Sequence, residues 1–395
     1  MLKTLAITNY RSLLKLTISL GQLNLITGAN GSGKSNLYRA LRLLAETAQG
    51  GVISALAKEG GLDSTFWAGP ETITREMKNG EMPIQGTRRT KPTRLRLGFA
   101  GEDFSYAIAM GLPPPEIPPP PIDPSMFLLD PEIKHECIWH GDLYRPASVL
   151  VERDNSAVKV RDGREWDVIA HIQNFDSLFS QTADPSRAPE ALQLRESIRQ
   201  WRFYDHFRTD ADAPARQPQL GTRTPVLHHD GRDLAAALRT IHEIGDLTAL
   251  SQAIDDAFPG STLRIVQQEG SRFVIEFYQP GLLRPLSGAE LSDGMLRYLL
   301  LIAALLTPRP PPLMVLNEPE NSLHPDLLPA LARLIIQASK ETQVWVVSHA
   351  RPLINALKES PVCNTIELEK EFGQTLVQGQ TGLLSTPSWH WPDGG

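Results

Sequence analysis

Hydrophobic and polar positions alternate at the start of the chain, shift to helical spacing, and alternate again before a long helical stretch. Residues 2–8 and 14–19 alternate and predict strands. Residues 22–27 read as a short buried strand, followed by a glycine-rich turn and a helix over 34–47. Between 94 and 160 the pattern is a series of short alternating runs split by turns, at 94–99, 104–109, 136–140, 148–152 and 157–160. Such runs predict an antiparallel sheet. From about 189 to 258 the spacing is helical, with helices expected over 191–208, 231–243 and 247–257. A hairpin is expected at 261–267 and 271–278 around Gly270. A very apolar helix at 290–306, a strand at 313–316, a helix at 325–339 and a strand at 343–347 follow. Strand–helix alternation at both ends thus brackets an antiparallel and helical middle, which predicts an α/β core carrying an insertion.

Composition narrows this picture. At roughly 150 residues per domain, 395 residues suggest two or three domains. Hydrophobic residues make up 41% and charged residues 21%, which excludes global disorder. The longest apolar run, at 298–306, is too short to span a bilayer. The opening Met1-Leu2-Lys3-Thr4 lacks the layout of a signal peptide. Two cysteines, Cys137 and Cys363, make no disulfide framework and no zinc site by themselves. A cytoplasmic location without membrane insertion is therefore expected. The net charge of -6 means that any nucleic-acid contact would need a local basic patch. Prolines are numerous, 32 in all, and two runs stand out. Pro113–Pro115 with Pro118–Pro121 predicts a stiff extended surface loop. Pro308 and Pro310–Pro312 separate an apolar helix from an apolar strand.

The chemistry begins at Gly28-Ala29-Asn30-Gly31-Ser32-Gly33-Lys34-Ser35, which matches G-x-x-x-x-G-K-[ST] between a strand and a helix. Glycines let consecutive amides curl around phosphate oxygens, and the helix start adds positive potential. Lys34 can reach the β- and γ-phosphates, and the Ser35 hydroxyl can serve Mg2+. Leu313–Leu316 is an apolar run followed by Asn317-Glu318-Pro319-Glu320. A buried parallel strand ending in this way presents polar side chains at the sheet edge where ligands bind. Glu318 can orient a water for γ-phosphoryl transfer. Asn317 can hold a metal-bound water but brings no charge. Leu291-Ser292-Asp293-Gly294 opens the apolar helix, where a Ser–Asp pair ordinarily serves as a cap and can also face a phosphate. His349 follows another apolar strand, an arrangement that alone is more often structural than catalytic.

The order of these pieces resembles the ABC-type ATPase heads of the SMC/RecF-like group. Ser32-Gly33-Lys34-Ser35 resembles the Walker A core and Leu291-Ser292-Asp293-Gly294 the signature motif. Leu313–Glu318 resembles Walker B, Asn321-Ser322-Leu323-His324-Pro325 the D-loop, and His349 the switch histidine. Asn9-Tyr10-Arg11-Ser12-Leu13 resembles a segment whose arginine lies near nucleotide. The match covers roughly 1–47 and 285–350, and the chain looks most like bacterial predicted AAA-type ATP-binding proteins with an Asn-Glu-Pro-Glu Walker B.

The resemblance implies an α/β fold, a P-loop NTPase of the ABC-type ATPase head form with an antiparallel β subdomain and a helical insertion. Residues 1–165 and 262–395 would form the discontinuous head, and 166–261 a mainly helical insertion. ATP and Mg2+ would be the ligands. Asn30, Gly31, Ser32, Gly33, Lys34, Ser35, Asn36, Arg11, Ser292 and Gly294 would bind nucleotide. Ser35 and Asn317 would serve the metal, and Glu318, His349 and Lys34 would be catalytic. In such heads the signature helix of one subunit faces the phosphate loop of another, which implies an ATP-sandwiched homodimer. Asn317 stands where the group has aspartate, which bears on the rate of hydrolysis. The group's Q-loop glutamine is represented only by the candidates Gln173 and Gln181.

Three readings of function follow. The first is an ATP hydrolase acting on or near DNA in repair, genome maintenance or phage defence. The second is a slow or non-hydrolysing ATP-gated module that switches a protein partner. The third, a transporter's energising subunit, fits neither the large middle segment nor the Pro319–Pro325 form. For the aromatic–basic run Trp201–Arg208 the plainer reading is an amphipathic helix or its end, with base stacking as the alternative. Arg88-Arg89-Thr90-Lys91 with Arg94 and Arg96 is a short basic run whose last two arginines can line the wet face of a strand. His228-His229-Asp230 and His140-Gly141-Asp142 read as ordinary loops rather than metal sites.

Overall fold

A computed structural model describes residues 1–85, 92–114, 126–163, 165–182, 184–380 and 385–394. The basic run at 88–91 and most of the first proline run lie outside the described residues. The chain divides into two compact units. The first comprises Met1–Leu20, Gly28–Gln200 and Ile366–Gly395, and the second Gly21–Thr27 and Trp201–Thr365. The 166–261 stretch, expected as an insertion of its own, is therefore shared between them, and the division falls at Gln200/Trp201.

The first unit is built on an eight-stranded antiparallel sheet. Its strands run in the order Leu13–Ser19, Leu2–Tyr10, Leu95–Gly101, Phe104–Gly111, Glu132–His140, Val149–Asp154, Ala157–Asp162 and Glu165–His171. Each neighbour is antiparallel, with registers such as Leu5↔Phe99 and Tyr106↔Ile138. The alternating runs expected between 94 and 160 are thus the central strands of this sheet. Beneath it lies a buried ion pair, Arg153 to Glu136 at 2.9 Å, with both side chains at 0% exposure. Glu136 also accepts from Tyr106 Oη, Ser177 Oγ and the Leu178 amide, while Arg153 donates to the carbonyls of Asn155, Gln173 and Asp176. A buried pair of this kind is tolerable because its remaining hydrogen-bonding capacity is met. Gln173 belongs to the loop that this pair organises, and Gln181 ends the short helix Leu178–Gln181 that follows, where it reaches Asp176.

Arg96 lies in the strand Leu95–Gly101 and Arg94 just before it, and both are bridged to Asp393, at 2.9 and 3.0 Å. The same C-terminal segment sets Trp389 at a tilt against Trp139 and edge-on to Trp391. The unit also holds a helix, Lys34–Thr47, and a hairpin formed by Gln374–Val377 with the last part of Cys363–Glu371.

The second unit holds a parallel sheet in the order Arg202–Tyr204, Leu313–Asn317, Gln343–Val347 and then Leu23–Gly28, the last belonging to this unit as far as Thr27. Asn317 is level with Val347, and Val347 with Ile26. These short apolar runs are buried on both faces, as parallel strands require. The apolar helix Asp293–Leu305 packs among Leu234–Ile244, Leu247–Ala257 and Leu328–Ala338 to form one continuous core. The hairpin expected around Gly270 is present as Thr262–Gln268 and Arg272–Tyr278.

One expectation fails here. The helix expected over 191–208 stops at Arg199, and Arg202–Tyr204 is a parallel strand beside Leu313–Asn317. Trp201, Phe203, Tyr204 and Phe207 are all buried. Aromatic side chains suit a pleated, half-buried surface, and an open edge of the parallel sheet offers ladder bonds that outweigh continuation of the helix.

Candidate functional site

The phosphate loop and Lys34 belong to the first unit, and the acidic turn, the signature segment and His349 to the second. Gly33 caps the helix Lys34–Thr47 with φ 109°, and a Cβ there would lie 2.0 Å from Thr375 Oγ1. Gly28, at φ 145°, leaves no room either, since a Cβ would lie 2.3 Å from the Leu368 carbonyl oxygen. Both positions therefore demand glycine. The helix start has no side-chain cap and no acidic residue in its first turn, so its first amides are left for an anion. Asn30, Gly31 and Ser35 are exposed at the crest of the loop. Lys34 is buried, and its ammonium donates to the carbonyls of Gly28 at 2.7 Å and Ala29 at 3.0 Å. Ser32 Oγ is buried without a hydrogen-bond partner among the described residues, an orphaned polar atom inside a loop of this shape.

The loop is braced from elsewhere in its unit. The Thr375 hydroxyl donates to the Ser32 carbonyl at 2.8 Å. Its single proton is thereby used, so Ser12 Oγ, 2.7 Å away, donates to Thr375 Oγ1, and Asn36 Nδ2 donates to Ser12 Oγ at 2.8 Å. Asn36 thus faces this brace. Arg11, in the turn between the first two strands, is paired with Glu59 at 2.9 Å, and Tyr10 Oη donates to the same carboxylate. The structure therefore places Arg11 on a carboxylate of its own unit.

In the second unit the acidic turn follows Leu313–Asn317. Glu318 has φ 48°, an uncommon conformation for a residue with a side chain, and its amide donates to the Val347 carbonyl at 2.8 Å. Asn321 Nδ2 donates to Glu318 Oε2 at 3.0 Å. His349 Nδ1 stands 3.5 Å from Glu318 Oε1 and 3.6 Å from Glu320 Oε1. Glu318 and His349 are open to solvent, with side chains 39% and 51% exposed, whereas Glu320 is buried. Arg297, on the signature helix, is also buried and donates to the Glu318 carbonyl at 3.1 Å. Burial lowers the Arg297 guanidinium from its ordinary value, against the opposing pull of the Glu320 and Glu318 carboxylates.

Ser292 caps the signature helix by accepting from the Met295 amide, which is the plain capping role that its position suggested. It remains exposed, and Gly294 beside it is half-buried. Arg216 holds this segment by pairing with Asp293 at 2.7 Å and donating to the Leu291 and Gly288 carbonyls. Asp205 stands one step beyond Tyr204, which is level with Leu316, and so lies at the same sheet edge as Asn317. Burial pushes its carboxyl up to about 6. Thr375, Arg216, Glu320 and Asp205 escaped sequence reasoning. Only Glu320, two residues from Glu318, carried a local signal.

Ser35, in the first unit, offers an exposed hydroxyl, and Asn317, in the second, an amide oxygen; each is a hard oxygen donor of the kind Mg2+ accepts. No group of three His, Cys, Asp or Glu side chains is assembled for a metal among the described residues. His228 is paired with Asp230 at 2.7 Å, an ordinary loop contact. No helix among the described residues is long and apolar enough to cross a membrane.

A family model described as "AAA domain, putative AbiEii toxin, Type IV TA system" matches residues 23–117 and 161–354. A search of curated proteins finds no match. Among solved structures, an SMC head bound to the C-winged helix domain of ScpA aligns over 95% of this chain and 97% of its own, with 15% identity and a TM-score of 0.50. The SMC head domain from Thermotoga maritima aligns over 95% and 97%, with 14% identity and a TM-score of 0.47. An Smc head domain with an extended coiled coil, bound to the C-terminal domain of ScpA derived from Pyrococcus furiosus, aligns over 95% of each chain, with 13% identity and a TM-score of 0.48. The fold is that of an SMC-type ABC ATPase head. Because the family match takes in the phosphate loop, the signature segment, the acidic turn and His349, the chain belongs to the family described as "AAA domain, putative AbiEii toxin, Type IV TA system" and is an ATPase of the AAA/SMC-head type.

Proposed function

We propose that this chain binds ATP with Mg2+, hydrolyses it to ADP and phosphate, and uses the nucleotide to pair two heads. The observation that carries the reading is the Glu318–His349 pair, 3.5 Å apart and exposed at the carboxyl ends of adjacent parallel strands. In this reading Glu318 orients and polarises the attacking water, and His349 orients Glu318. Lys34 and the loop amides bind the phosphates, with Ser35 and Asn317 as the metal's protein donors. Mg2+, when bound, supplies neutralisation of phosphate charge. Ser292 and Gly294 of a second copy approach the γ-phosphate from the other side, so loss of that phosphate removes the contact both copies share.

The test is a Glu318→Gln variant. Its steady-state turnover is expected to fall by about 100-fold or more, and it is expected to size as a dimer with ATP and Mg2+ and as a monomer without. A monomer at saturating ATP refutes the dimer. A second reading, a slow ATP-gated module that switches a protein partner, is favoured by one observation, the neutral Asn317 at the end of its strand. Wild-type turnover equal to that of Glu318→Gln would decide for it. Work on or near DNA, in repair, genome maintenance or phage defence, is tested by turnover with single-stranded, double-stranded and nicked DNA. No change on any of them favours a protein partner, as the SMC head bound to a ScpA domain illustrates for that protein.

A further inference from the structure

Glu320 is unused by the chemistry above, yet it is the better-buried carboxylate of the acidic turn, with its side chain 5% exposed. Its Oε1 accepts from Ser348 Oγ at 2.6 Å, from the His349 amide at 3.0 Å and from the Ala350 amide at 3.2 Å. Its Oε2 is buried without a hydrogen-bond partner among the described residues. Burying a carboxylate is costly unless the donors around it repay the lost hydration. A strand end with no task beyond packing would be served as well by an apolar side chain.

The three donors share a location. Ala350 is the N-cap of the helix Arg351–Lys358, and that helix has no side-chain cap of its own. Glu320 accepts from the two amides just before that helix, those of His349 and Ala350, and its charge sits at the helix start, where a negative group is favoured. One oxygen thus fixes the backbone on both sides of the His349 side chain. The turn that carries Glu320 also carries Glu318, whose left-handed backbone is tied to the Val347 carbonyl.

We propose that Glu320 is a positioning residue, one that sets the His349 ring against Glu318 by clamping the 348–350 turn to the acidic turn. The proposal rests on the ATPase reading for its kinetic consequence, but its structural claim stands apart from it. Orientation of this sort acts on the chemical step and leaves ground-state binding of nucleotide unaltered.

Two readouts on Glu320→Ala and Glu320→Gln test it. Hydrogen exchange at the His349 amide is expected to speed up by about tenfold or more in Glu320→Ala, with a smaller rise at the Ala350 amide, which keeps Ser348 Oγ as an acceptor at 3.1 Å. It should stay near wild type in Glu320→Gln, whose amide oxygen can still accept. In the same proteins kcat is expected to fall by about tenfold or more in Glu320→Ala with the ATP Kd unchanged within about twofold, and Glu320→Gln should recover most of the rate. If Glu320→Ala does not fold, Glu320→Asp, too short to reach all three donors, takes its place. Unchanged exchange at the two amides overturns the proposal, as does a loss of ATP affinity in step with kcat. Absence of turnover in the wild type would defeat the ATPase reading alone and leave the exchange experiment to decide the clamp.

Discussion

Replacing Thr375 with valine removes one oxygen and almost no volume. That oxygen joins two groups of the phosphate-loop brace, since it donates to the Ser32 carbonyl at 2.8 Å and accepts from Ser12 Oγ at 2.7 Å. All three residues are buried, Thr375 at 1% exposure. The valine leaves the Ser32 carbonyl and the Ser12 hydroxyl short of a partner, and each buried orphan costs about 1–3 kcal/mol. Because little volume is lost, no cavity cost adds to this. A destabilisation of about 2–4 kcal/mol is therefore expected. The same bonds hold the Ser32 backbone, which in the proposed function faces phosphate. If about 1–2 kcal/mol of the loss appears as freedom of the loop, ATP binding weakens by about 5- to 30-fold. Denaturant unfolding gives the first quantity, and titration with a fluorescent ATP analogue at fixed salt and Mg2+ gives the second. Thr375→Ser, which keeps the hydroxyl, should lie near wild type in both. A valine variant that unfolds at the wild-type midpoint and binds ATP with wild-type affinity refutes the reasoning. One that loses stability yet binds normally shows that the brace does not hold the loop.

Two further outcomes rest on buried charge. The Asp205 carboxyl is raised from 3.8 to about 6 by burial, so the folded state holds its proton more tightly than the unfolded state. Its contribution to stability is therefore greatest at low pH, is lost as pH rises from about 4 to about 6, and is level above, by at most about 3 kcal/mol. Asp205→Asn should melt higher than wild type at about pH 7.5 and lose that slope; equal melting curves across the range refute it. Arg153→Met leaves Glu136 buried and uncompensated, and a loss of about 3–5 kcal/mol in denaturant unfolding is expected; a loss below about 1 kcal/mol would show that the Tyr106, Ser177 and Leu178 donors suffice.

Period-two alternation is carried by strands such as Val149–Asp154, whose burial alternates, whereas Leu95–Gly101 and Phe104–Gly111 are buried on both faces and were legible as short runs split by turns. The parallel strands at 313–317 and 343–347 were visible as short apolar runs ended by polar residues. The second proline run also reads correctly, since the helix ends at Leu305 and the strand begins at Leu313. Trp201–Arg208 misled because its aromatics fit a buried helix face and a buried strand equally well.

By itself the sequence determined the fold class and the candidate site's local parts, namely the loop around Lys34, the acid at Glu318 and the histidine at 349. These are set by contiguous residues whose spacing dictates backbone conformation or strand polarity. Only the tertiary structure decided what holds those parts. Thr375 meets Ser32 across 343 residues, Arg216 reaches Asp293 across 77, and Glu320 caps the His349 turn across 29. Tertiary structure also turned Arg11 to Glu59 and put Tyr204, the residue before Asp205, level with Leu316. A hydrogen bond between distant segments leaves no period in the sequence. Its partners are chosen by how the sheets and helices pack, and a threonine or a glutamate reads the same until that packing is known.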